Sequence, residues 1–174
     1  YTEIKKLIAH GINKDKKKNF WNREADLPGH NYRLPNHLAS LGISQFKQLP
    51  KFNKQRRRIA KKYDNFFKKF SDKFYIQKVN SNLTHSYQMY SILVDSKYRN
   101  NLVYYLKKNN IEASVHFDPP LHQQKYLNKY SKKLPNTEKL AKEIITLPIY
   151  PKLKQKDLNK IFKVINNWYK KNKK

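Results

Sequence analysis

The chain has 174 residues, in which Lys and Arg outnumber Asp and Glu by 39 to 12, for a formal charge of +27. At 38% hydrophobic and 14% aromatic residues it holds enough apolar mass for an ordinary domain core, which excludes a disordered chain. Cysteine is absent, which removes disulfides, zinc–thiolate sites and cysteine nucleophiles, and no apolar run approaches the roughly 18 residues of a membrane span.

Thr2 to His10 read as the end of a helix, with Ile4, Leu7 and Ile8 at helical spacing and Gly11 as the C-cap. Residues 13–31 are polar and broken by Pro28-Gly29, so they read as a loop. Pro35 suits the first turn of the next helix, whose stripe runs through Leu38, Leu41, Gln45, Phe46 and Leu49. Pro50 is expected to end that helix and restart the pattern on a second one, carrying Phe52, Ile59, Tyr63, Phe66 and Phe70 under a basic outer face.

The period then changes. Phe74 to Val79 reads as a short strand, and the nearly apolar Tyr87 to Val94 as a strand covered on both faces. Lys97 to Lys108 returns to helix, with Leu102 and Leu106 inward and Asn109-Asn110 ending it. Ile111 to Phe117 alternates as a strand should: Ile111, Ala113, Val115 and Phe117 on one face, Glu112, Ser114 and His116 on the other. Asp118-Pro119-Pro120 stops it. A short helix over Asn136 to Ile144 precedes an extended Leu147 to Pro151, and Leu158, Ile161, Phe162, Ile165 and Trp168 mark a final amphipathic helix. The expected class is α+β, a small sheet covered by helices. Residues 1–45 hold no complete sheet and read as the tail of a larger domain and linker, while 46–174 read as a domain with its own core.

Two readings of the charge stand. One is an electrostatic footprint for nucleic acid or an anionic surface. The other is compositional drift, since Lys, Asn, Ile, Tyr and Phe share A+T-rich codons and the cations are spread along the chain in short runs such as Lys16 to Lys18, Arg56 to Arg58 and Lys170 to Lys174. Arg, the residue that reads bases through its planar fork, is scarce.

The three glycines, at 11, 29 and 42, form neither a dinucleotide fingerprint nor a P-loop. The six histidines make no His-Glu-x-x-His pattern, no metal site is expected, and no Gly-x-Ser-x-Gly elbow exists. Taken alone, the chain offers no complete catalytic constellation. The most informative stretch is Gly29-His30-Asn31-Tyr32-Arg33-Leu34-Pro35-Asn36, where an amide and a guanidinium sit two residues apart just before a helix. That pairing suits an anion such as a phosphate, helped by the free N–H groups of the helix start. It is equally the sequence of a capped helix carrying a surface arginine.

GHNYRLPNHLASLGISQFKQLPKFNKQRRRIAKKY, residues 29–63, resembles the Gly-Tyr-Asn-Tyr-Arg segment and following helices of the DegT/DnrJ/EryC1/StrS aminotransferases. HSYQMYSILVD (85–95) resembles that family's central small-domain strand. IEASVHFDPPLHQQKY (111–126) resembles its Gly-Ile-x-x-x-Val-His-Tyr-x-Pro-Leu-His segment. LPNTEKLAKEIITLPIYPKL (134–153) resembles its closing helix and Leu-Pro-x-Tyr-Pro turn, and LIAHGINKD (7–15) its Arg-x-His-Gly helix end. The five stretches stand in the family's order.

The resemblance implies the C-terminal small domain of a fold-type-I pyridoxal 5'-phosphate enzyme that transfers an amino group, from glutamate, to a keto nucleotide sugar in amino-sugar and surface-polysaccharide synthesis. It implies a cytoplasmic homodimer with active sites shared between subunits and no membrane or nucleic-acid partner. The lysine that forms the Schiff base with the cofactor would precede Tyr1, so this chain alone is expected to be inactive and contributes no catalytic residue. Asn31 matches the asparagine that reaches the partner's cofactor phosphate, and Arg33 the arginine beside it. His116 matches the histidine facing the sugar, and His85 falls near a second substrate-side histidine. Gln88 stands where many members carry a histidine, His30 replaces an aromatic residue, and Phe117 replaces a tyrosine. The alternative from a different class is a free-standing basic α+β nucleic-acid-binding domain.

Overall fold

A computed structural model describes residues 1–12, 24–130 and 132–172, so the Lys16 to Lys18 run, most of the expected 13–31 loop and the last two lysines lie outside the described residues. The chain divides into two compact units, Tyr1–Leu49 and Pro50–Lys174.

The first unit holds helix α1 (Thr2–Leu7) and the N-terminal part of helix α2 (Asn36–Phe67). The α1 helix ends at Leu7 with Ile8 as its C-cap, three residues short of the expected His10, so Gly11 belongs to the turn beyond the cap. Gly11 takes a left-handed φ of 74° and returns its N–H to the Lys6 carbonyl at 2.8 Å. The expected stripe of α2 is not a core here: Leu38, Leu41, Phe46 and Leu49 are all exposed, as are Ile4, Tyr32 and Leu34.

The break expected at Pro50 does not occur, and α2 runs 32 residues with Pro50 inside it. Proline removes the N–H that would bond the Phe46 carbonyl. Residues 41–51 are exposed throughout, so that carbonyl is open to water and the helix continues. The side chains turn inward only from Ile59: Ile59, Ala60, Tyr63 and Phe67 are buried at i, i+1, i+4, i+8 spacing.

The second unit is built on a three-stranded antiparallel sheet in the order β1 (Phe74–Ile76), β2 (Tyr90–Val94), β3 (Ile144–Leu147). Helices α3 (Ser96–Lys108), α4 (Pro135–Glu143) and α5 (Gln155–Lys171) complete it. Along β2, Tyr90, Ile92 and Val94 are buried, while Ser91 and Leu93 are half-buried on the other face. The core unites those three with Tyr63 and Phe67 of α2, Leu102 and Leu106 of α3, and Leu158, Ile161, Ile165 and Trp168 of α5. Its aromatic groups keep their polar tips bonded: Tyr63 Oη donates to the Pro148 carbonyl at 2.9 Å, Tyr90 Oη to Asp64 at 2.7 Å, and Trp168 Nε1 to Asn101 Oδ1 at 2.7 Å.

The third strand is not the expected one. The backbone of Ile111 to Phe117 pairs with the sheet only through an isolated bridge between Ser114 and Thr146. Ile111 is buried, but Phe117 is turned out at 69% exposure with φ of 65°, which breaks the alternation. The strand role passes to Ile144–Leu147, because α4 stops at Glu143 and the β-branched Ile144-Ile145-Thr146 run favours the ladder.

Candidate functional site

The Asn31–Arg33 segment is laid against the end of α1 by backbone bonds: His30 N–H to Leu7 O at 2.8 Å, His10 N–H to His30 O at 3.0 Å and Tyr32 N–H to Ile8 O at 3.1 Å. Two glycines make that approach possible. A Cβ on Gly29 would lie 2.2 Å from the Gly11 nitrogen, and a Cβ on Gly11 would lie 1.7 Å from the Leu27 oxygen. Lys6 and Asp26 tie the same crossing with an ion pair at 2.6 Å.

On this frame Arg33 Nε donates to Asn31 Oδ1 at 3.1 Å, and both side chains are exposed. Nε–H can only donate, so the amide oxygen must face the arginine. The Asn31 N–H2 and the outer guanidinium N–H groups then have no partner among the described residues. The pair is a donor-only surface: one amide and one cation, three residues ahead of the first helical position of α2 at Asn36. A carboxylate or phosphate is the ligand such a surface holds best.

His116 stands in the second unit at the end of the 111–117 segment. Its Nδ1 lies 2.9 Å from Thr146 Oγ1, which lies 3.0 Å from Ser91 Oγ. The next residues are held from several sides. Buried Arg99 pairs with Asp118 at 2.5 Å, Gln124 Nε2 donates to the Pro119 carbonyl at 3.0 Å, and His122 contacts Glu138 at 3.3 Å. The Leu134 backbone N–H, followed by His122, holds the Glu138 carboxyl below the usual carboxylate range. Phe117, next to His116, is exposed and has a positive φ, a strained conformation of the kind that clusters at ligand sites.

His85 is half-buried. Its Nδ1 accepts the Tyr87 N–H at 3.0 Å, so the neutral ring carries its proton on Nε2. Its ring meets Tyr87 edge-on at 4.4 Å. Among the described residues no hydrogen bond or ring contact joins His85 to His116. Asn31 and Arg33 are thus brought together in the first unit, while His116 and His85 belong separately to the second. A groove of about 920 Å³ between the sheet, α3 and α4, lined by Asp72, Tyr75, Asp95 and Leu140 among others, contains none of the four.

Sequence reasoning passed over Thr146, Ser91 and Arg99. Thr146 had a signal, a lone hydroxyl inside the apolar Ile144 to Leu147 run. So did Arg99, a charge on the inward stripe with Leu102 and Leu106. Ser91 has none that distinguishes it from any other strand serine.

A model of the DegT/DnrJ/EryC1/StrS aminotransferase family matches residues 1–166. The chain is 32% identical over 169 residues to the uncharacterized protein MJ1066 of Methanocaldococcus jannaschii, covering 90% of this chain and 43% of that protein. It is 32% identical over 145 residues to the GDP-perosamine synthase of Escherichia coli O157:H7, covering 83% of this chain and 39% of that one. The solved structure of Helicobacter pylori PseC, an aminotransferase involved in the biosynthesis of pseudoaminic acid, superposes with a TM-score of 0.83 at 26% identity, over 97% of this chain and 45% of that one. The chain therefore spans less than half the length of these relatives. The family's aminotransferases are pyridoxal-phosphate dependent. A match across 166 of 174 residues, joined to a fold that superposes over nearly its whole length, makes this chain a member of the DegT/DnrJ/EryC1/StrS aminotransferase family.

Proposed function

We propose that this chain is the C-terminal part of a pyridoxal-phosphate aminotransferase that moves an amino group from glutamate to a keto nucleotide sugar, with each active site shared between two subunits. Family membership supports the reaction class. The observation that carries the chain's own part in it is the Asn31–Arg33 donor surface, which fits a phosphate dianion and has no anionic partner among the described residues. When bound, pyridoxal phosphate supplies the electron-withdrawing ring and the carbonyl carbon on which an amino group is held between donor and acceptor.

The chain's residues have narrower tasks. Asn31 and Arg33 grip the cofactor phosphate of the other subunit, the amide by two N–H groups and the guanidinium by its fork. His116 and His85 stand on the sugar side, where imidazole nitrogens hydrogen-bond hydroxyl or phosphate oxygens. Residues 1–45 belong with the larger cofactor-bearing domain. Their exposed Ile4, Tyr32, Leu34 and Leu38 match a surface that the rest of the protein covers. The lysine that carries the cofactor lies outside this chain, and the chain by itself transfers no amino group.

The test is complementation between subunits of the full-length enzyme. An Asn31→Ala/Arg33→Ala subunit is mixed with one lacking the cofactor lysine, and each parent homodimer is inactive. A site combining the first subunit's lysine with the second subunit's Asn31 and Arg33 exists only if the loop acts across the dimer. Activity near half the wild-type value per heterodimer is expected. No recovery, with heterodimers shown to form, would refute the shared site.

A further inference from the structure

We propose that Thr146, backed by Ser91, is the positioning residue of His116, and that it holds the neutral imidazole as the Nε2–H tautomer with that N–H offered to an oxygen of the substrate. The proposal rests on the reading above that His116 faces the sugar nucleotide.

The Nδ1 of His116 has one polar partner among the described residues, Thr146 Oγ1 at 2.9 Å. That oxygen is also 3.0 Å from Ser91 Oγ. A hydroxyl has one proton and two lone pairs, so Thr146 either donates to one neighbour and accepts from the other, or accepts from both. Three directions are open. In the first, Ser91 donates to Thr146 and Thr146 donates to Nδ1, which puts the ring proton on Nε2. In the second, Nδ1–H donates to Thr146 and Thr146 donates to Ser91, which leaves the Ser91 proton with no partner among the described residues. In the third, Nδ1–H and Ser91 both donate to Thr146, which leaves the Thr146 proton with no partner among the described residues. The first direction uses both hydroxyl protons and each of the others wastes one. At half-buried Ser91, or at Thr146 with 8% exposure, an unused proton has a cost, so the neutral ring takes the first.

Thr146 is itself held at several points. It is 8% exposed, pairs in register with Ser91 on the central strand, and exchanges two backbone bonds with Ser114, at 3.0 and 2.8 Å. Its β-branched side chain has few rotamers. The period of two then explains why the single bridge matters. Ser114 is fixed opposite Thr146, and two residues later His116 returns to the same side and meets the Thr146 hydroxyl. One residue thus anchors the backbone before His116 and the ring itself. The Nε2 atom has no partner among the described residues, so the N–H is available to a hydroxyl, carbonyl or phosphate oxygen.

The test reads the ring directly in the full-length protein. Histidine is labelled with nitrogen-15, and the His116 resonances are identified by their loss in His116→Gln. At a pH where histidine is neutral, the wild type is expected to show a protonated Nε2 and an unprotonated, hydrogen-bonded Nδ1. A wild-type ring protonated at Nδ1 overturns the proposal without recourse to any variant. Thr146→Val, nearly isosteric, is expected to shift the Nδ1 resonance, and Thr146→Ser to return it to the wild-type position. An unchanged Nδ1 resonance in a folded Thr146→Val protein also overturns it. No turnover enters these measurements, so they fail only if the wiring is wrong. The functional reading fails separately, if His116→Ala leaves amine transfer intact.

Discussion

At the scale of single residues, the pair of glycines behind Asn31 is as consequential as the asparagine. Neither crossing tolerates a methyl group, because the atoms in the way are backbone and cannot swing aside. Gly29→Ala must therefore open the contact between residue 29 and the end of α1. The expected cost is about 1–3 kcal/mol of local stability, with the Asn31–Arg33 pair displaced. In the full-length enzyme this should appear as cofactor affinity weakened roughly ten- to a hundredfold, read by spectral titration. Gly42→Ala is the control, since nothing lies within 4 Å of its added Cβ and the site is helical. Equal effects of the two would show that the crossing does not position the loop.

Buried tyrosines make a second prediction at this scale. Burial pushes the Tyr63 phenol well above its ordinary value of 10.0, and burial with the hydrogen bond to Asp64 does the same for Tyr90. Below pH 10 the phenols are protonated in both folded and unfolded chains, and the stability they support is fully present. Above it the unfolded chain releases these protons while the folded one retains them, so stability falls as pH rises toward the folded values. The slope is up to about 1.4 kcal/mol per pH unit for each tyrosine. Tyr63→Phe should lose the bond to Pro148, costing about 0.5–1.5 kcal/mol at neutral pH, yet flatten the alkaline limb in urea unfolding. An alkaline limb as steep as the wild type's would count against the burial argument.

At the scale of elements, two expectations went wrong for related reasons. Pro50 and the 111–117 alternation are local signals, and each was overruled by what surrounds it. An interior proline orphans one carbonyl of the helix, and here residues 41–51 face water, which can satisfy it. It should nonetheless cost the helix. Pro50→Ala is expected to raise the unfolding midpoint by an amount equivalent to about 1–3 kcal/mol, measured by denaturant unfolding followed by circular dichroism. A destabilised P50A would mean that the packing needs the proline. The alternating segment 111–117 is a sound strand pattern, but its edge position gives it one bridge, and the positive φ of Phe117 and the Arg99–Asp118 pair lead it into the loop beyond. Arg99→Met should therefore loosen residues 117–124 selectively, which amide hydrogen exchange would show as faster exchange there than in β2.

At the scale of the whole molecule, charge and apolar exposure pull in different directions. With +27 over 174 residues, self-repulsion opposes compaction at low ionic strength. Raising salt from roughly 10 to 300 mM, which shortens the screening length from about 30 Å to under 10 Å, should raise the melting temperature. An unchanged or lowered value would mean that the charges are already locally compensated. If the charge reflects drift, DNA binding should be weak, indifferent to sequence, and lost steeply with salt by counterion release. A specific nanomolar complex persisting at about 200 mM salt would favour the nucleic-acid-binding alternative.

Much of the fold was legible because it rests on short-range rules. The inward residues of α3 and α5 follow from a period of 3.6, and the end of α3 from Asn109. The order of five motifs identified the family without any coordinates. What lay beyond the sequence were facts created by distant segments meeting. The Thr146 hydroxyl, between Ser91 at a separation of 55 and His116 at a separation of 30, is one. Arg99 buried against Asp118, and the strand role passing to Ile144–Leu147, are others. Helical periodicity and caps are decided within a turn or two of chain, so the sequence by itself determined them. Strand partners, hydroxyl directions and the burial of a charge depend on which surfaces collapse together, and only the tertiary structure decided those.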